Sequence, residues 1–113
     1  MEFMVHITNK FPADGDKDLL TQLVKDESAR AAELAASGVI KKIWRRTGQK
    51  SNVGIWVAPN ATELHSVISS LPFFPWLEVE IWPLADHPND PNRRVQPPPQ
   101  PGPAAVPLAV ADT

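Results

Sequence analysis

The sequence predicts an α+β domain of element order β-α-β-β-α-β, a four-stranded antiparallel sheet with two helices on one face. Three observations predict it. A run of alternating apolar residues opens the chain, two segments of helical periodicity stand between strand-like runs, and a glycine-centred hairpin joins the second and third strands. With 113 residues there is room for one such domain and one core.

Phe3, Val5 and Ile7 alternate with Glu2, His6 and Thr8, the period of a half-buried strand that ends at Pro12 and Asp14-Gly15-Asp16. Asp16 is placed to cap a helix from Lys17 to about Ser37, with Gly38 as its stop. A short basic strand with Trp44 runs from Val39 to Arg46. Thr47-Gly48-Gln49-Lys50 turns the chain into Asn52–Val57, where Val53, Ile55 and Val57 share a face. Asn60-Ala61-Thr62-Glu63 has capping-box spacing before the helical stripe Leu64, Val67, Ile68 and Leu71. Leu71-Pro72-Phe73-Phe74-Pro75 leads into a last strand in which Leu77, Val79 and Ile81 alternate with glutamates.

This order is the split-βαβ, or ferredoxin-like, arrangement, and right-handed crossovers put both helices on one sheet face. On plain alternation the other face carries Met4, Trp44, Trp56 and Trp82 beside His6, Glu78 and Glu80. So much aromatic surface calls for a second copy of the chain to cover it; scattered exposed apolar residues are the plainer reading.

Composition narrows the function classes. The absence of cysteine removes disulfides, thiolate zinc sites and a cysteine nucleophile. A net charge of -2 gives no electrostatic reason to expect nucleic acid or an anionic membrane. No apolar run reaches the ~20 residues of a membrane span, and the first residues lack the pattern of a signal peptide. A cytoplasmic protein is the expectation. Nine of the 13 prolines lie from Pro83 onward, which divides the chain into a domain over 1–90 and a Pro-rich tail over 91–113. The tail reads either as disordered or as an arm that binds a neighbouring subunit.

One residue stands out as chemistry. Leu20, Leu23, Ala31 and Leu34 recur on one face of the first helix, and Glu27 lies in the middle of that row. A carboxylate in an apolar stripe is costly unless paired or protonated, and the same surroundings raise its pKa toward that of a general base near neutrality. The alternative is an ion pair with Arg30 or Arg45. Arg45 itself reads either as a cation for a substrate carboxylate or oxyanion, or as a solvated hairpin edge. His6, His65 and His87 show no metal-ligand spacing, and no Gly-rich phosphate loop or serine-nucleophile motif is present.

Together these residues resemble the muconolactone isomerase family. The similarity runs through Lys10-Phe11-Pro12, Asp14, Asp16, Thr21-Gln22-Leu23, Asp26-Glu27, Gly38, Trp44-Arg45, Gly48 and Asn52. It continues through Glu63-Leu64-His65, the proline-flanked Leu71–Pro75 segment and His87-Pro88. The resemblance implies a ferredoxin-like fold, a ring-like homo-oligomer (a dimer or larger, a decamer by family) and a cofactor-free isomerase of aromatic catabolism. It implies Glu27 as the proton shuttle that turns muconolactone into the enol-lactone of 3-oxoadipate. The chain departs from the family pattern at Met4 and His6, and at Gln49-Lys50, where members carry His-Tyr. Those changes bear on the substrate rather than on the fold.

The expected site is therefore Glu27 as base and acid, with Arg45 and Asn52 as polar contacts. Trp44, Phe73, Phe74 and Trp76 are expected to form an apolar wall, and His65 to be a further substrate contact. Two other readings stand beside it: a cofactor-free oxygenase, cyclase or epimerase on the same scaffold, and a non-catalytic binding or assembly protein.

Overall fold

The computed structural model describes residues 1–92; the expected Pro-rich tail, apart from its first two residues, lies outside them. The elements are β1 (Glu2–Asn9), α1 (Lys17–Ala36), β2 (Ile40–Arg45), β3 (Ser51–Val57), α2 (Ala61–Ser69), a 3-10 turn (Phe74–Trp76) and β4 (Leu77–Leu84). The strands form one antiparallel sheet of order β2-β3-β1-β4, the order that the ferredoxin-like expectation requires.

Local chemistry sets the element ends. The Asp16 side chain accepts from the Leu19 amide at 2.9 Å, satisfying one orphan donor of α1. At the other end Gly38 takes a φ of 83°, which lets the Val39 amide reach back to the Leu34 carbonyl at 2.9 Å. Asn60 caps α2 by accepting from the Glu63 amide at 2.9 Å. In the β2–β3 hairpin Gly48 has a φ of 76°, which a residue with a Cβ would resist.

The core forms where the inner sheet face meets the helices. Phe3, Val5 and Ile7 of β1 pack with Leu34 of α1, with Leu64 and Ile68 of α2, and with Leu71. Trp56 joins them, only 1% exposed, and this corrects the expectation that it lies on the outer face. The register pairs Phe3 with Trp56, Val5 with Gly54 and Ile7 with Asn52, and directly opposed residues share a face. Asn52 and Trp56 therefore point to the helices, while Val53, Ile55 and Val57 face outward. The alternation misleads because the outer row of β3 is the more apolar one, while the inner row holds Asn52 and has no side chain at Gly54.

A register shift between Ile40 and Lys42 changes the phase of β2. Beyond it, Ile43 and Arg45 face inward against Gly54 and Asn52, while Lys42 and Trp44 face outward against Ile55 and Val53. The outer face thus carries Met4, Ile55, Trp44 and Trp82 at its centre and flanks, and both tryptophans are 48% exposed. Among the described residues, no helix is long and apolar enough to cross a membrane.

Candidate active site

A cavity of about 580 Å³ lies between the inner sheet face and α1. From α1 come Leu20, Val24, Glu27, Ser28 and Ala31, so the cavity takes one edge of the apolar stripe together with Glu27 at its centre. The sheet contributes Ile7 and Asn9 from β1, Ile43 and Arg45 from β2, and Asn52 and Trp56 from β3. Lys50 enters from the hairpin, Phe11 from the loop before α1, and Leu71 and Phe73 from the chain after α2.

Glu27 is half-buried, and that desolvation pushes its carboxyl above the ordinary value of 4.5; a hydrogen bond from the Phe73 amide acts in the opposite direction. The Phe73 nitrogen donates to Oε1 at 3.2 Å, while Oε2 has no hydrogen bond among the described residues. Neither expected ion pair forms. Arg30 is occupied by Glu33 at 3.3 Å and by Ser70, and no salt bridge among the described residues joins Glu27 to Arg45. The carboxylate is thus held by one backbone donor and surrounded by apolar wall, an arrangement suited to taking up and returning a proton.

Two further polar atoms are buried there without partners: the Asn52 Oδ1 and the Trp56 Nε1. Buried polar atoms are seldom left unpaired, so both mark the sheet wall as a place where polarity is held at a cost in stability.

The structure brings Glu27, Arg45, Asn52 and Phe73 together around the cavity and leaves the other expected contacts out of its lining. Trp44 lies on the outer face, where alternation put it, with the Lys42 ammonium 5.4 Å from its ring, so it is no part of the apolar wall. Trp76 stands behind the wall, edge-on to Phe11 at 5.1 Å and to Phe73 at 6.4 Å, so it braces the lining without belonging to it. Phe74 packs against the core cluster and meets His65 edge-on at 6.3 Å, away from the lining. Lys50, Trp56 and Phe11 line the cavity without having been expected to. Trp56 follows from the register of β3 on β1, which alternation did not fix, and a hairpin lysine gives no signal either.

His6 lies on the outer face, as alternation predicts. Its Nε2 is 2.7 Å from the Ser51 Oγ and 3.1 Å from Arg46, and its Nδ1 is 3.6 Å from Glu80. This cluster ties β1, β3 and β4 together and does not line the cavity. Among the described residues no group of His, Asp and Glu could hold a metal ion.

Residues 1–90 match the family model for muconolactone delta-isomerase. The chain is 38% identical over 88 residues to a muconolactone Delta-isomerase of Rhodococcus opacus, covering 78% of this chain and 95% of that protein. It is 34% identical over 87 residues to muconolactone Delta-isomerase 2 of Acinetobacter lwoffii, covering 77% and 91%. A crystal structure of muconolactone isomerase aligns with a TM-score of 0.78 at 32% identity, covering 85% of this chain and all of that one.

Proposed function

The chain belongs to the muconolactone delta-isomerase family and is an isomerase; from that premise we propose that Glu27 moves a double bond in muconolactone or a closely related unsaturated lactone. Glu27 takes a proton from the carbon that is activated by the conjugated lactone, and a dienolate forms. The same carboxyl then returns the proton two carbons away, so the step is redox-neutral and consumes nothing. Oε2 is the oxygen free to carry that proton. The Asn52 amide supplies a donor for the dienolate oxygen, Arg45 supplies positive charge for the substrate's anionic groups along the same wall, and Phe11, Phe73 and Ile43 keep water from the carbanionic centre.

The observation that carries this reading is the position of Glu27: on the cavity wall, raised in pKa by burial, and free of any salt bridge among the described residues. The setting that fits is aromatic catabolism in the cytoplasm, by a homo-oligomer whose outer sheet faces are covered by neighbouring copies. A second reading rests on size. At about 580 Å³ the cavity falls within the range of about 300–1,000 Å³ that encloses drug-sized ligands. It is roomier than one small lactone ring with a short acid arm, which favours a bulkier lactone or enone handled by the same shuttle.

Incubation with muconolactone, followed by ultraviolet absorbance and product analysis for the enol-lactone of 3-oxoadipate, tests the proposal. Turnover that is lost in Glu27→Gln supports it. No turnover of muconolactone, with turnover of a larger unsaturated lactone, selects the second reading. Turnover of neither overturns both.

A further inference from the structure

Among the described residues with charged side chains that line the cavity, Glu27 is the sole carboxylate, against the two cations Arg45 and Lys50. Neither cation joins a salt bridge among the described residues. This excess of positive charge is local, because the whole chain is net negative at -2. It is also built by the backbone. Arg45 is turned inward opposite Asn52 by the register shift in β2, and the Lys50 carbonyl accepts from the Asn9 amide at 3.0 Å, which fixes the hairpin against the end of β1. The two cations therefore bracket the hairpin and share one polar wall, while the α1 wall supplies Leu20 and Val24. Both cations are exposed to solvent at the cavity and have no carboxylate partner among the described residues, so an anion is the ligand they attract.

We propose that Arg45 and Lys50 together form a carboxylate seat, with Lys50 as the residue that selects substrates bearing a free carboxylate; this rests on the lactone-isomerase reading above. Arg45 offers a planar fork to two carboxylate oxygens, and Lys50 adds a mobile point charge. Seating the acid arm at this wall orients the lactone ring within reach of the α1 wall and Glu27. Lys50 acts on recognition and leaves the proton transfer to Glu27, so its removal is read in KM rather than kcat.

The test uses the full-length protein and a non-reactive probe, the saturated lactone that carries a carboxymethyl arm, with its methyl ester as the neutral control. Binding of both is measured by calorimetry to wild type, Lys50→Gln and Lys50→Arg. Wild type is expected to bind the acid at least ten-fold more tightly than the ester. Lys50→Gln should weaken the acid about ten-fold, the size of one charge-assisted contact, and leave the ester unchanged, which also reports an intact fold. Lys50→Arg should restore most of the preference. Equal acid binding by wild type and Lys50→Gln, or no binding of either probe by wild type, overturns the seat. Turnover of muconolactone with a KM unmoved by Lys50→Gln overturns the seat but leaves the isomerase reading standing. Loss of acid preference in Lys50→Gln, in a protein that turns over no lactone, supports the seat and removes the isomerase reading.

Discussion

The Phe73 backbone nitrogen lies 3.2 Å from the Glu27 Oε1 and donates a hydrogen bond to it, joining the middle of α1 to the segment that follows α2. This bond fixes one oxygen of the carboxylate and leaves the other for chemistry. It also favours the ionised form, but desolvation is the larger influence and the net displacement of the pKa is upward from 4.5. The rate constant kcat/KM should therefore rise with pH through an apparent value above 4.5, as the base loses its proton. A pH profile of muconolactone turnover checks this. Glu27→Gln should lower kcat by about a thousand-fold, within the usual range for a positioned general base, while circular dichroism and assembly size stay as in wild type.

The same group makes a claim on stability. Its folded pKa lies above its unfolded value, so the folded state holds the proton more tightly. The stability it contributes is fully present below about pH 4.5 and is lost as pH rises through the folded value. Glu27→Gln cannot ionise and escapes that loss. Its Tm should exceed that of wild type by a few degrees near pH 7, and the difference should close in acid. Half-burial keeps the effect modest. Thermal melts of both proteins between pH 4 and pH 8 give the comparison, and a constant difference across that range would remove the linkage.

How much of this was legible in the sequence depends on how one-sided each pattern is. The stripe that places Glu27 on α1 is legible because Leu20, Leu23, Ala31 and Leu34 recur at helical spacing around it, although Leu19 and Val24 lie off that row, and α1 lies where its caps predict. The sheet was harder. β3 inverts the usual pattern, since its outer row Val53, Ile55 and Val57 is more hydrophobic than the inner row of Asn52, Gly54 and Trp56. Alternation therefore gave its period and missed its phase. The register shift at Ile40–Lys42 has no signature in residue type; it lets Ile40 face inward together with Ile43 and Arg45, while Trp44 keeps the outer face that alternation assigns it. Lys50 in the cavity wall depends on how the hairpin seats on β1, a long-range contact that periodicity does not encode.

Asn52 should show a conflict between stability and turnover. Its Oδ1 is buried and unpaired, a condition that costs roughly 1–3 kcal/mol. Asn52→Leu removes the unpaired atom at similar volume, so the Tm of the ligand-free protein should hold or rise. If the amide serves the dienolate, kcat/KM should fall at least ten-fold in the same variant. A fall in both quantities would make Asn52 structural only.

Gly54 permits the close approach of β2 to β3. A Cβ built there would meet the Lys42 carbonyl oxygen, with the Ile43 Cα at 3.2 Å, and these are backbone atoms that cannot swing aside. Gly54→Ala should cost about 2 kcal/mol, in the range for overpacking, or roughly 10 °C in Tm. Displacement of Ile43 and Arg45 should accompany it, so KM should rise in whatever fraction remains folded. Melting and steady-state kinetics on one preparation test both halves.

The outer sheet face carries the last prediction. Met4 lies between Ile55 and Trp82 in the register, giving an apolar centre. Lys42 and Arg46 stand toward the β2 edge, and Glu78 and Glu80 along β4. A two-fold axis parallel to the strands would lay the β2 edge of one copy over the β4 edge of the next, basic against acidic, around the shared apolar middle. That self-complementarity is what an isologous interface requires. Wild type is expected to sediment as an oligomer built on this face, and Trp82→Glu, which puts a carboxylate in the apolar middle of both copies at once, should sediment as a monomer. Trp82 is 48% exposed within one chain, so the monomer should keep its fold. Salt should weaken the wild-type assembly through its charged flanks. A Trp82→Glu protein that sediments as wild type would remove this face as a subunit contact.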